Sequence, residues 1–265
     1  MPELPDVEIL RQYLAATALH QRIDQVRVGE EKNRQVLEGI SPQQLGQAVK
    51  GRSFEDTARH GKYCFAELSG GRHLAFHFGM TGWLRYYQRD PDDLSHVRVR
   101  FDFSSGYHLA FVNTRLLGSL ALVADPRSFI AEKNLGPDAL DDLSETYFQE
   151  LMDNSNAKIK ALLTNQQKIA GIGNVYADEI LFQARVHPTV PANLLGRGER
   201  RRLFKALVQV LQDALQARAD PQQMPDGSLL PIRKQGETCP RCSAALKKIP
   251  FQGRSAYLCP TCQKA

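Results

Sequence analysis

The sequence predicts an α+β fold with strands and helices segregated along the chain, followed by a short metal-held ribbon. Three observations predict it. Up to about residue 123 the readable segments alternate apolar and polar residues with the period of strands. After Pro126 the apolar spacing becomes helical, and four of the five cysteines fall in the last part of the chain as two Cys-x2-Cys pairs. Strands followed by helices imply separate layers or separate domains.

The first turns are the exception to the strand-rich half. Pro5 suits the start of a helix, and Val7, Leu10 and Leu14 then share one helical face. Tyr63 to Leu68 and Arg72 to Phe78 flank Ser69-Gly70-Gly71 and read as a hairpin. Val97 to Phe103 alternates strictly, and Ser104-Ser105-Gly106 turns it into Tyr107 to Val112, a second hairpin. Asp125-Pro126 and Gly136-Pro137 mark a linker at 124–137. Helical segments follow at 144–152 and 157–165, and another starts near Asn174. From Glu199 a longer one carries the stripe Leu203, Leu207, Val210, Leu211, Ala214 and Leu215, with Arg200, Arg201, Arg202 and Lys205 in its first turns. Prolines and Asp226-Gly227 break regular structure over 218–232.

A chain of 265 residues, 42% hydrophobic and 24% charged, can bury one large or two modest cores, which excludes a disulfide-stapled miniprotein. No apolar run approaches the roughly 18 residues that a membrane span needs. The opening MPELPDVEIL carries acids where a secretory signal carries bases, so a cytoplasmic protein with reduced cysteines is expected. Lys+Arg 34 against Asp+Glu 29 leaves a net charge of +5. Residues 221–265 hold seven bases and two acids, so the whole surplus of five sits there and the remaining 220 residues balance at 27 against 27. The charge points to a polyanionic partner for that tail, with protein contact as the alternative for a ribbon of this kind.

Cys239-x2-Cys242, sixteen residues and Cys259-x2-Cys262 form the four-cysteine zinc pattern. Four thiolates leave the ion no open position, so the zinc is expected to be structural and to fold a ribbon too poor in apolar residues to fold alone. His60, His73, His77, His108 and His187 lack ligand spacing and read as structural, and Cys64, mid-strand, as a buried small hydrophobe. At the other end, removal of Met1 would give Pro2 a secondary amine near a helix start, where the dipole favours the neutral, nucleophilic form. Glu3 beside it is a ready proton donor or acceptor.

The blocks MPELPDVE, Arg59-His60-Gly61-Lys62-Tyr63, His77-Phe78-Gly79-Met80-Thr81-Gly82, Asn134-Leu135-Gly136-Pro137-Asp138 and 169–179 (IAGIGNVYADE), with the four-cysteine finger, occur in order along the whole chain. Together they resemble the formamidopyrimidine-DNA glycosylase and endonuclease VIII family, closer to the formamidopyrimidine branch. The resemblance implies an N-terminal catalytic β-sandwich with a leading helix (1–123), the linker, a helix-two-turn-helix DNA-binding domain (138–231) and a zinc finger hairpin (232–265). It also implies a bifunctional DNA glycosylase and abasic-site lyase of base-excision repair. The enzyme would be a monomer on damaged double-stranded DNA, with one structural zinc, no small-molecule cofactor and a nucleoid-associated location. Such an enzyme flips the damaged base out of the duplex.

Residue by residue, the resemblance makes Pro2 the nucleophile, Glu3 the acid, Lys62 the lysine beside the reacting phosphate and Arg254 the finger arginine at the lesion's phosphate. Asn174 and Lys160 match phosphate contacts, with a plain helix cap as the alternative for Asn174 and an exposed helix lysine for Lys160. Met80 and Arg115 match two of the three side chains inserted into the duplex. The third, phenylalanine in an Asp-Pro-Arg-Arg-Phe-Gly segment of the formamidopyrimidine branch, is Leu117 here, within 113–118 (NTRLLG). A family histidine falls on Leu94, with His96 two residues on, and a basic contact ahead of Lys160 falls on Ser155 or Asn156. The segment before Cys239 is shorter than in the family, where a loop caps the flipped purine. These departures leave a second reading open: a damaged- or abasic-DNA-binding protein of the same fold with little or no base excision.

Overall fold

The computed structural model describes residues 2–29, 35–89 and 95–264, and they divide into two compact units. Leu94 and Met1 lie outside the described residues.

The first unit comprises Pro2 and residues 6–134. Helix α1 (Leu4–Ala18) is followed by β1 (Ile23–Val28), β2 (Leu37–Glu38), α2 (Pro42–Val49), β3 (Phe54–His60), β4 (Tyr63–Leu68) and β5 (His73–His77). Then come β6 (Gly82–Tyr87), β7 (Val97–Phe103), β8 (His108–Asn113), β9 (Ser119–Val123) and α3 (Pro126–Glu132). Two sheets form, ordered β2-β9-β5-β4-β3 and β1-β7-β8-β6, antiparallel throughout except for β2 beside β9. Both expected hairpins are present: β4 pairs with β5 around Gly70 and Gly71, and β7 with β8 around Gly106, all three with positive φ. Alternating side chains of both sheets meet in an aromatic core. Phe54 of one sheet lies edge-on to Phe101 of the other at 5.5 Å, and Phe76 to Phe111 at 5.9 Å. Val7 and Leu14 of α1 are buried in the same core, and Leu10 packs against it.

Helix α3 lies inside the stretch expected to be a linker. Asp125 accepts from the backbone N–H groups of Arg127 and Ser128, and Pro126 takes the first helical position. The Asp-Pro pair read as a chain break is therefore a helix start, because proline costs nothing where the N–H has no intrahelical partner.

The second unit comprises Glu3–Pro5 and Leu135–Ala265. It contains α4 (Glu145–Asp153), α5 (Ile159–Leu163), α6 (Asn174–Ala184), α7 (Arg197–Gln216) and the hairpin β10 (Lys247–Phe251) with β11 (Arg254–Leu258). The α7 stripe is the centre of its core: Leu203, Leu207, Val210, Leu211 and Ala214 are buried with Phe148, Ile159, Ile172 and Ile180. Of the bases in its first turns, Arg200 is buried and paired with Asp153, while Arg201, Arg202 and Lys205 are exposed. Between α7 and the hairpin only two short 3-10 turns form, Pro221–Gln223 and Leu230–Ile232. The Glu179 carboxylate of α6 accepts from the Leu229 and Leu230 backbones at 2.8 and 2.7 Å, which ties this segment down. A separate small cluster joins Phe182 of α6 to Leu229, Leu246, Cys239 and Cys259 of the ribbon. No helix among the described residues is long and apolar enough to cross a membrane.

Candidate active site and metal centre

Glu3 is fully buried in the second unit. Its Oε2 accepts from the backbone N–H of Gly173 at 2.8 Å and of Tyr176 at 3.1 Å, and its Oε1 from Val175 at 2.9 Å. The first N–H groups of a helix have no partner within it, and its positive end favours a carboxylate. Helix α6 is capped by Gly173, which has no side chain to offer, so Glu3 supplies the cap from the far end of the sequence. A β-carbon on Gly173 would collide with the Glu3 carboxyl group, which explains glycine there. Asn174 is thus not the cap, and of the N–H groups around it those of Gly173, Val175 and Tyr176 are taken by Glu3. Pro2 is half-buried and precedes Glu3 directly, two residues ahead of the first turn of α1.

The side chains of Lys160, Asn174 and Arg254 line one cavity of about 510 Å³ in the second unit, together with Asn165, Lys168 and Gln252. Arg254 is exposed and leaves the tight turn of the finger, where Gln252 and Gly253 both have positive φ, 46° and 72°. That is the backbone a two-residue hairpin turn requires. Ser155 lines the same cavity without bringing a charge. Lys168 was not singled out by sequence reasoning, since one exposed lysine in a loop carries no periodic signal.

Lys160 is not the exposed lysine that was one alternative: it is 1% exposed. Its Nζ donates to Asp178 Oδ1 at 2.6 Å and to the Ser255 carbonyl at 3.3 Å. Asp178, equally buried, also accepts from Arg233 Nε and Nη2 at 2.9 and 2.7 Å and from the Tyr257 backbone N–H at 3.2 Å. Burial pushes the Lys160 ammonium below the usual lysine range and the Asp178 carboxyl above the usual carboxylate range, and the charge of each opposes the shift of the other. Asp178 was missed because a lone acid on a helix does not reveal three donors that reach it from elsewhere in the chain.

In the first unit, Lys62 follows Gly61 in the turn between β3 and β4. Burial first, then the Lys62 charge, holds His77 below its ordinary value of 6.5. A histidine held neutral in the fold costs stability once the unfolded chain can take a proton and the folded one cannot. Stability is therefore expected to fall as pH drops below about 6.5 toward the folded value. Urea midpoints measured from pH 8 to 5 should show this loss, and His77→Phe should reduce it; an unchanged slope in the variant would exclude His77 as its source.

Met80 and Leu117 are two of the few exposed large apolar side chains, 40% and 51% accessible. Arg115 Nη1 lies 3.3 Å from Met80 Sδ, and its backbone N–H donates to Thr81 Oγ1 at 3.2 Å. Gly79, with a φ of 60°, lies so close to the Leu117 backbone that a β-carbon would collide with it. The two loops bearing Met80, Arg115 and Leu117 are therefore one packed tip. Trp83, at the start of β6, is likewise 41% exposed and was not noticed in the sequence. His96 is exposed with a φ of 63°, its Nδ1 3.4 Å from the Arg98 guanidinium. Its carbonyl accepts from the Asn113 N–H at 3.1 Å, and Arg98 also donates to the Thr114 carbonyl at 3.3 Å, so His96 adjoins the segment that bears Arg115.

Cys239, Cys242, Cys259 and Cys262 bring their sulfurs within 4.8 Å of one another, with Cys239 to Cys262 at 3.9 Å and Cys242 to Cys259 at 3.4 Å. Sulfurs about 2.3 Å from a tetrahedral ion lie about 3.8 Å apart, so the donor set fits zinc. Among the described residues no other cluster of three or more His, Cys, Asp or Glu side chains brings its ligand atoms this close together. Cys64 is buried in the first unit's core, and burial pushes its thiol up to about 12.

Comparison with known proteins covers the whole chain. Family models described as the formamidopyrimidine-DNA glycosylase N-terminal domain, the formamidopyrimidine-DNA glycosylase H2TH domain and the zinc finger found in FPG and IleRS match residues 1–120, 135–225 and 236–265. The formamidopyrimidine-DNA glycosylase of Pelotomaculum thermopropionicum is 34% identical over 277 residues, covering 100% of this chain and 99% of the relative. That of Protochlamydia amoebophila is 32% identical over 280 residues, covering 100% of both chains. Among solved structures, Lactococcus lactis Fpg (MutM) in complex with DNA containing N7-benzyl-Fapy-dG superposes with a TM-score of 0.90 at 28% identity, covering 100% of both chains. MutM in complex with DNA containing carbocyclic 8-oxo-G gives 0.90 at 29%, again over 100% of both.

Proposed function

The chain belongs to the formamidopyrimidine-DNA glycosylase family, and from that premise we propose that it is a bifunctional DNA glycosylase and abasic-site lyase that excises oxidised or ring-opened bases from duplex DNA. With Met1 removed, the Pro2 nitrogen attacks C1′ of the damaged nucleotide. The N–C1′ bond forms as the glycosidic bond breaks, and the base leaves with the electron pair and takes up a proton. Glu3 takes up the proton that the Pro2 nitrogen sheds and donates it to the sugar ring oxygen as the ring opens, leaving an iminium between protein and DNA. Loss of the C2′ proton expels the 3′ phosphate, and loss of the C4′ proton then expels the 5′ phosphate. Lys62 neutralises the phosphate beside the reacting sugar. Asn174, through its side-chain amide, and Arg254 hold the lesion's phosphates, and Arg254 assists the second elimination. Met80, Arg115 and Leu117 enter the duplex where the base has left, with His96 contributing a backbone contact.

The observation that carries this reading is the anchoring of Glu3 by three backbone N–H groups of the α6 start, directly beside Pro2. A surface glutamate near a chain end needs no such anchorage; a group that must meet one atom of a sugar does. One structural zinc ion holds the finger, the protein acts as a monomer on damaged DNA, and it resides in the cytoplasm, on the nucleoid. The second reading, damage binding without excision, draws on Leu117 in place of an aromatic wedge and on the short segment before the finger.

Borohydride reduction separates the two readings. The Met1-processed protein mixed with abasic-site duplex is expected to give a covalent protein-DNA adduct that disappears in Pro2→Gly. No adduct in the unsubstituted protein, or equal adduct in Pro2→Gly, would overturn the proposed chemistry. A panel of 8-oxoguanine, formamidopyrimidine and oxidised pyrimidine duplexes then assigns the base.

A further inference from the structure

Lys160 bridges two pieces of the second unit. Its ammonium pairs with Asp178 on α6 at 2.6 Å and donates to the Ser255 carbonyl on β11 at 3.3 Å. The same ammonium lies 5.5 Å from the centre of the Phe251 ring on β10. Phe251 and Ser255 flank the Gln252-Gly253 turn and Arg254, so one buried cation touches both strands at the root of that turn. Asp178 reinforces the grip: it accepts from the Tyr257 backbone N–H on β11 and from Arg233, whose guanidinium stacks 4.5 Å from the Tyr257 ring.

We propose that Lys160 is a positioning residue for Arg254: its ion pair with Asp178 sets the aim of the finger turn, and Lys160 itself neutralises no DNA phosphate. This rests on the role given to Arg254 above. The physical reason is connectivity. A two-stranded hairpin is marginal by itself and its tip is free to swing. Arg254 is exposed and has no side-chain partner among the described residues, so its direction depends on the strand it begins. A flexible lysine that served phosphate directly would have its ammonium at the surface, as Lys168 does in the same cavity. Lys160 is 1% exposed, and two of its three N–H groups are engaged by Asp178 and Ser255.

The test is Lys160→Met, alone and in an Arg254→Ala background, in the full zinc-loaded chain on abasic-site duplex. Loss of Lys160 leaves Asp178 with Arg233 and the Tyr257 N–H, so the variant is expected to fold. The ratio of second- to first-elimination product is expected to fall about tenfold in Lys160→Met, about as far as in Arg254→Ala. In the Arg254→Ala background the same change is expected to have less than about a twofold effect, because the group it aims is gone. The slope of log K against log salt in that background is expected to stay constant. A slope smaller by about 0.9 there would mean that Lys160 meets a phosphate, and equal losses with and without Arg254 would mean independent action; either overturns the proposal. Phe251→Leu, which removes the ring under the ammonium, should repeat the pattern and replaces Lys160→Met should that variant unfold. Borohydride trapping of the unsubstituted protein is the parallel control: its failure overturns the lyase reading itself, whatever Lys160 does.

Discussion

Stripping the zinc from the intact protein with a chelator is expected to unfold the ribbon at 236–265 and to abolish binding to abasic-site duplex. The ribbon has almost no core of its own. Its buried apolar cluster consists of Leu246, Cys239 and Cys259 with Phe182 and Leu229 from outside it, so two of the five buried members are themselves ligands. Strand β10 is largely exposed, with only Phe251 buried. Structural zinc contributes about 10–16 kcal/mol to such peptides near neutral pH, far more than this apolar contact can replace. Without it the β10-β11 register is lost, and with it the turn that presents Arg254. Amide hydrogen exchange should show loss of protection in the hairpin while α7, in a separate core, stays protected. Unchanged DNA affinity after verified zinc loss would refute the structural role of the finger.

Asp178→Ala is expected to destabilise the protein by about 3–5 kcal/mol, because it strands two buried or half-buried cations, Lys160 and Arg233, without their shared acid. Asp178→Asn keeps an acceptor for the Tyr257 N–H and should cost less. Replacing the set together, with Asp178→Leu, Lys160→Met and Arg233→Met, should recover much of the loss, since the desolvation penalty disappears with the charges. Urea denaturation of the three variants measures this order. A loss below about 1 kcal/mol for Asp178→Ala would mean that the carboxylate contributes no net attraction.

The two hairpins, the apolar stripe of α7 and the start of α6 were legible because each is written in residues a few positions apart. Alternation marked β7, the spacing of Leu203, Leu207 and Leu211 marked α7, and Gly70, Gly71 and Gly106 marked turns. Helix α3 was not, because an Asp-Pro pair that starts a short helix looks the same as one that ends a segment. The zinc ligands were legible for another reason: the metal imposes its own spacing on the chain.

Sequence alone thus determined the α+β class, the four ligands, the concentration of charge near the finger and, through its ordered motifs, the family. Tertiary structure decided what those residues do to one another. Glu3 caps a helix that begins about 170 residues later, taking the capping role that was the alternative reading of Asn174. Lys160 is buried on Asp178 and grips the finger, although the chain around it reads as an ordinary helix lysine. Local periodicity reports which face of an element is buried. It carries no information about which distant donor reaches a given carboxylate, because that depends on how whole elements pack.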